Sequence, residues 1–234
     1  MAKLISFFGG DSQTGTTTLS LAAAQSLSLK GKKVLLILAS CEIDEGYFEE
    51  AKTDIGGLLR LSKITKEDVS SCITSLKNYD LIAGSKDMTV KQFFEPSLIK
   101  TVRQAVDRNY DYIIVDAGHD ATLALPVSAL LEADRRYYVL TGNAKCAARF
   151  AAVNQVIIKG LLLDESGDRL ILSKAKNSGS DYALADLISS FDMEGFEIPY
   201  FEQAGFFEFQ KKSAYGEVTA FTRAVDAVAQ DILR

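Results

Sequence analysis

Residues 4–18 read Leu4-Ile5-Ser6-Phe7-Phe8-Gly9-Gly10-Asp11-Ser12-Gln13-Thr14-Gly15-Thr16-Thr17-Thr18. The apolar run Leu4–Phe8 has the length and composition of a buried strand. A small-residue loop follows, and Leu19, Ala22, Ala23 and Leu27 then recur at helical spacing. A strand, a glycine loop and a helix in that order fit the frame G-x-x-x-x-G-K-[ST], with Gly10 and Gly15 as the glycines and Thr17 as the hydroxyl. In such a loop, backbone N–H groups and the helix N-terminus cradle phosphate oxygens, a lysine spans the outer phosphates and the hydroxyl ligates magnesium. Thr16 stands where the lysine belongs. The candidate nucleotide-binding stretch is therefore Gly10, Asp11, Ser12, Gln13, Thr14, Gly15, Thr16, Thr17 and Thr18, without its mobile positive charge. The alternative is that the loop is only the tight strand-to-helix turn any doubly wound fold needs.

Outward from this loop, short apolar runs alternate with helical patterns. Gly31 closes the first helix, over Thr17–Lys30, and Val34–Leu38 is a continuous buried-type strand. Further strands are expected at Leu81–Ala83, Tyr112–Val115, Arg136–Leu140, Leu170–Ser173 and Glu197–Ile198. Helices are expected over Pro96–Asn109, Ala121–Glu132, Ala144–Leu163, Asp181–Ser190 and Glu217–Leu233. This alternation specifies an α/β fold: a mainly parallel, doubly wound sheet with helices on both faces, whose ligands bind at the carboxyl ends of the strands.

With 234 residues, 47% hydrophobic and only 3 prolines, the chain reads as a single domain over 1–234. A net charge of −5 argues against a general nucleic-acid-coating surface. Cys41, Cys72 and Cys146 have no C-x-x-C spacing and read as reduced thiols. Met1-Ala2-Lys3 enters a strand without a signal-peptide pattern, and no apolar run reaches the ~20 residues of a membrane span. A cytoplasmic protein is expected.

Asp116 ends the Tyr112–Val115 run. An acid at a buried strand tip about 100 residues beyond a phosphate loop suits a magnesium ligand acting through water, with Thr17 as the direct ligand; the alternative is a carboxylate that caps the following turn. His119, the single histidine, and Asp120 follow at once. His119 is a candidate base, although a lone histidine is more often structural. Asp44, Glu45, Glu49 and Glu50 read as a solvated acidic face. Phe201, Phe206, Phe207 and Phe209 read as core, with a partner-binding patch as the alternative. A dinucleotide G-x-G-x-x-G is absent, and the second strand ends in Leu38-Ala39-Ser40 rather than an acid, which disfavours NAD and FAD.

Taken in order, these segments resemble the ParA/MinD superfamily of deviant-Walker-A ATPases. Ile5-Ser6-Phe7 through Ala24 resembles its phosphate loop and first helix, and Gly31-Lys32-Lys33-Val34-Leu35-Leu36-Ile37 its second strand. Leu81-Ile82-Ala83-Gly84 is similar to its strand-and-glycine segment, and Tyr110-Asp111-Tyr112-Ile113-Ile114-Val115-Asp116 to its Walker B strand. Ile198-Pro199-Tyr200, with Gly216 further on, is similar to its late segments. The resemblance implies ATP and magnesium as ligands, and protein partners in a localisation or assembly machinery that recruits the chain to a membrane or pole.

The departures are as informative. The family's Lys-Gly-Gly-x-Gly-Lys-Thr falls on Asp11-Ser12-Gln13-Thr14-Gly15-Thr16-Thr17, so the signature lysine that crosses a dimer is Asp11 and the phosphate lysine is Thr16. The family's second-strand acids are Leu38 and Ser40. A hydrogen bond to a charged group contributes roughly 1.5–3 kcal/mol, so ATP binding should weaken about ten- to a hundredfold. Hydrolysis should be negligible without the charges and water-positioning groups. Degenerate loops of this kind resemble those of TadZ/CpaE-like pilus-localisation proteins. Three other readings stand beside this one: an ATPase rearranged around Asp44 or Asp120, a nucleotide-free scaffold, and a dethiobiotin-synthetase-like ligase, the last disfavoured by Thr16. With Asp11 opposite a partner's phosphates, the chain is expected to be a monomer or a dimer indifferent to nucleotide.

Overall fold

The computed structural model describes residues 1–40, 53–61, 63–85, 87–175, 181–204, 207 and 213–234. Among them one sheet of eight strands runs in the order β3-β4-β2-β5-β1-β6-β7-β8. The strands are β1 (Lys3–Gly9), β2 (Val34–Leu38), β3 (Thr74–Ser75), β4 (Asp80–Ile82), β5 (Tyr112–Asp116), β6 (Arg135–Leu140), β7 (Arg169–Ala175) and β8 (Gly195–Pro199). All adjacent pairs are parallel except β3 against β4. The mainly parallel doubly wound sheet expected from the sequence is the fold observed.

The strands alternate their side chains between two cores, as a period of two requires. Leu4 and Phe8 of β1 face one side, Ile5 and Phe7 the other. On the first side pack α2 (Lys66–Ser71), α3 (Leu98–Val106), α4 (Ala124–Glu132), α5 (Ala144–Val153) and α6 (Leu184–Phe191), through Val69, Ile99, Leu130, Phe150 and Leu187. On the second pack α1 (Thr16–Leu29) and α7 (Thr219–Ile232), through Ala23, Leu27, Val225 and Ala229. Both faces of the sheet are covered, which is why β2 and β5 are apolar at nearly every position.

Most element boundaries differ from expectation by one to three residues, and two differences are informative. The helix expected from Pro96 begins at Leu98, because the Leu98 amide closes a turn on the Glu95 carbonyl (3.0 Å). The helix expected over Ala144–Leu163 is α-helical only to Val153 and continues as a π-helix over Asn154–Lys159, with the Leu163 amide reaching back to Ile158 (3.0 Å). The π winding keeps Asn154 and Ile158 buried while Val156 is exposed. The two-residue strand β3 and the short α2 carry too little periodicity to be read in advance.

Candidate functional site

Strand order fixes where the loop lies. From β1 the chain crosses through α1 to β2 on one side, whereas the neighbouring β6 leads through α5 to β7 on the other. The chain therefore parts above the β1/β6 pair, the kind of crevice where ligands of such sheets bind. Register sets the acid beside the loop: Phe7 of β1 and Leu38 of β2 both pair with Asp116, the last residue of β5. Main-chain bonds stitch the tips together, from Gly9 N to Gly118 O (2.6 Å), Gly10 N to Val139 O (2.9 Å) and Ala39 N to Asp116 O (2.8 Å).

Two glycines are needed here for specific reasons. Gly15 precedes α1 at φ 92°, a left-handed conformation that costs a side-chain-bearing residue, and an added Cβ would lie 3.3 Å from Ser173 Oγ of β7. At Gly10 an added Cβ would sit 2.3 Å from Leu140 Cδ2 and 3.0 Å from Cys146 Sγ. Past Gly15, the amides of Thr16, Thr17 and Thr18 are first-turn donors that a helix leaves without carbonyl partners.

Beneath the loop, Thr17 Oγ1 donates to Asp116 Oδ2 at 2.6 Å. Asp116 is fully buried, and its other oxygen accepts from the Gly118 amide (3.0 Å), so it caps the following turn, the alternative reading of this acid. Thr16 is turned inward, its hydroxyl 3.0 Å from that of Thr14. A cavity of about 400 Å³ opens over these groups, lined by Asp11, Gln13–Thr18, Leu21, Gly118 and His119 on one side and by Lys174, Phe201, Ala204, Phe207, Ser213 and Ala214 on the other. Gly10 and Ser12 lie outside the lining. Their amides are engaged, Gly10 with Val139 and Ser12 with the Asp11 carboxylate at 2.8 Å.

Asp11 is ion-paired within its own chain, to Arg149 and, at 3.9 Å, to Lys145, both of α5. Partial burial works against its charge, but the Ser12 amide and the two cations outweigh it and hold the carboxyl below the ordinary carboxylate range. Neither cation is legible as a partner from sequence, because about 138 residues separate Arg149 from the loop. Lys174 is likewise a residue that sequence reasoning passes over; it stands at the end of β7 and its ammonium donates to the Gln13 carbonyl.

Other candidates fall in different places. His119 lines the cavity, whereas the Asp120 carboxylate accepts from the amide (2.9 Å) and hydroxyl (2.6 Å) of Thr122 in the following turn. Phe201 stacks obliquely on Phe221 at 5.2 Å, and Phe207 packs against the α1/α7 core, so both are core residues that also wall the cavity. Phe206, Phe209, Cys41 and the acidic run Asp44, Glu45, Glu49 and Glu50 lie outside the described residues. Cys72 and Cys146 are buried free thiols. Among the described residues no helix is long and apolar enough to cross a membrane.

A glycine loop opening a helix at the tip of a central parallel strand, with a buried acid at the tip of the next, is the arrangement of the P-loop fold class. Within that class the likenesses are to the ParA/MinD superfamily. The sequence is 25% identical over 178 residues to an uncharacterized ATP-binding protein of Methanocaldococcus jannaschii, covering 75% of this chain and 66% of that protein, a little under two thirds of its length. It is 27% identical over 197 residues to the sporulation initiation inhibitor protein Soj of Bacillus subtilis, covering 70% of this chain and 72% of Soj. The fold matches the septum site-determining protein MinD of Pyrococcus horikoshii, solved with Mg-ADP, at a TM-score of 0.82 and 18% identity over 99% of this chain and 96% of that one. It matches the MinC:MinD cell division complex of Aquifex aeolicus at 0.82 and 19%, over 99% and 96%. No family model matches the chain. The resemblance to the ParA/MinD ATPases read from the sequence therefore holds in sequence and in fold.

Proposed function

We propose that the chain is a degenerate ParA/MinD-like domain over residues 1–234 that binds ATP with magnesium weakly and hydrolyses it little or not at all. In this reading it acts as a localisation or assembly factor for pilus or similar machinery, recruited to a membrane or pole by partner proteins. The observation that carries the reading is the Thr17–Asp116 pair, 2.6 Å apart beneath a cavity lined by the loop. Magnesium is commonly held by one or two carboxylates together with phosphates and waters, and one hydroxyl beside one buried carboxylate is a donor set of that kind. Among the described residues no cluster of three or more His, Cys, Asp or Glu forms a protein-only metal cage, in keeping with an ion that arrives with its nucleotide.

A bound ion would supply charge neutralisation of the outer phosphates. Thr17 would be its direct ligand, Asp116 would hold it through water, and the amides from Gln13 to Thr18 would orient the phosphate chain. Turnover needs more than this. Leu38 at the end of β2 and Ser40 just beyond it stand where acids would position water, Thr16 carries no charge, and Asp120 is engaged with Thr122. The relatives' own descriptions, one ATP-binding, one crystallised with Mg-ADP and one in a complex with MinC, support nucleotide and protein partners as the ligand classes.

Calorimetric titration with ATP, with and without magnesium, tests the reading. A dissociation constant between micromolar and millimolar, tightened by magnesium, is expected. Neither heat nor a thermal shift at millimolar ATP would favour the nucleotide-free scaffold.

A further inference from the structure

We propose that Lys174 is the cation of this loop, meeting the phosphate oxygens of a bound nucleoside polyphosphate in the role for which Thr16 has no charge. The inference rests on the nucleotide reading above. It begins with a register defect. Between the pairs Leu172↔Glu197 and Ala175↔Pro199, three steps along β7 face two along β8, so β7 carries one extra residue at its carboxyl end. Bulges of this kind re-aim a side chain and recur beside binding sites.

Lys174 lies in that bulge with φ at 56°, a left-handed conformation that a lysine adopts only under constraint from its surroundings. The same residue lines the loop cavity, and its ammonium donates to the main-chain carbonyl of Gln13 in the middle of the loop. Gln13 is itself left-handed, at φ 58°. Of the four non-glycine residues with positive φ among those described, two are therefore the two ends of this one contact. The remaining two, Leu162 and Asp192, end helical segments on other parts of the chain.

The strain thus collects where a lysine from a distant strand touches a phosphate-type loop that has lost its own. Lys174 is exposed, and its present acceptor is a neutral carbonyl. Exchanging that carbonyl for a phosphate oxygen keeps a hydrogen bond and adds charge attraction, so the exchange is favourable once polyphosphate occupies the cavity. Adjacent to it, Ser173 Oγ would lie 3.3 Å from a Cβ added at Gly15, which places the end of β7 close beside the loop.

The test is calorimetry on the full chain with three proteins, wild type, Lys174→Gln and Lys174→Arg, each titrated at low salt with magnesium–ATP and with magnesium–tripolyphosphate, which has no base to bind. Lys174→Gln should lose about ten- to a hundredfold in affinity for both ligands, the measure of a lost charged hydrogen bond, while Lys174→Arg stays near wild type. All three should melt at the same temperature, since the side chain is exposed. Wild-type ATP binding that Lys174→Gln leaves unchanged would overturn the role of Lys174 and leave the nucleotide reading standing. Equal losses in the Gln and Arg variants would overturn it too, by showing that charge is not what matters there. A wild type that binds neither ligand would overturn both readings together.

Discussion

The hydroxyl of Thr17, in the first turn of α1, donates at 2.6 Å to a carboxylate oxygen of the fully buried Asp116 at the tip of β5. In the proposed reading, the hydroxyl that would ligate magnesium and the acid that would hold the ion's water are thus pre-arranged by a bond the protein makes to itself. Thr17→Val keeps the shape of the side chain and removes the ligand. It should abolish the magnesium-dependent gain in ATP affinity while leaving metal-free binding within about twofold, since the backbone cradle is unaltered. Asp116→Asn should do the same. Titrations with and without magnesium check both, and a magnesium effect that survives Thr17→Val would remove this residue from the metal site.

Thr16→Lys should tighten ATP binding by up to about tenfold, less than the full value of a charged hydrogen bond, because Lys174 already directs a cation at the loop. Phosphate release should remain at background, because the end of β2 still offers Leu38 and Ser40. A variant that turns over ATP at rates abolished by Asp116→Ala would mean that water is positioned by some other group.

ATP should not drive dimerisation. The lysine that would cross to a partner's phosphates is replaced by Asp11, whose charge is spent on Arg149 and Lys145 of its own chain. That pairing softens the repulsion expected of a bare carboxylate, but it leaves no lysine on the loop to reach across. Sedimentation velocity with and without magnesium–ATP should give one unchanged species. A monomer that becomes a dimer only with nucleotide would show the crossing contact to be made by another residue.

Arg136→Ala should be among the most damaging single changes. Arg136 Nη1 lies 3.0 Å from both oxygens of Asp168, its Nε donates to the Leu130 carbonyl at 2.8 Å, and Tyr138 Oη donates to the same carboxylate at 3.0 Å. The two charged side chains are 5% and 1% exposed, so truncating one strands the other in the core. A loss of about 3–5 kcal/mol is expected in urea unfolding. Replacing both by apolar residues should recover much of it.

The sequence was most readable where one physical demand dominated. Val34–Leu38 and Tyr112–Val115 are continuous apolar runs because parallel strands covered on both faces have no polar side, and β2 matches the expected range while β5 extends it only by Asp116. The loop and its acid were legible because glycine and a strand-end carboxylate each have a local reason to be where they are. The cations were not. Arg149 and Lys174 reach the loop from α5 and β7, and what brings them there is strand order and a one-residue bulge, neither of which leaves a periodic trace. The π-helix after Val153 was hidden for a similar reason, since its side chains follow a helical pattern that hardly distinguishes one winding from another.

The 2.6 Å bond from the Gly9 amide to the Gly118 carbonyl, with those from Gly10 to Val139 and Ala39 to Asp116, is made wholly of main-chain atoms. Such a frame is indifferent to which side chains it carries. The side chains at positions 11 and 16 can be exchanged one at a time while the bowl they decorate keeps its contour. Shape and charge are separable in this loop, because the main chain sets the one and the side chains the other.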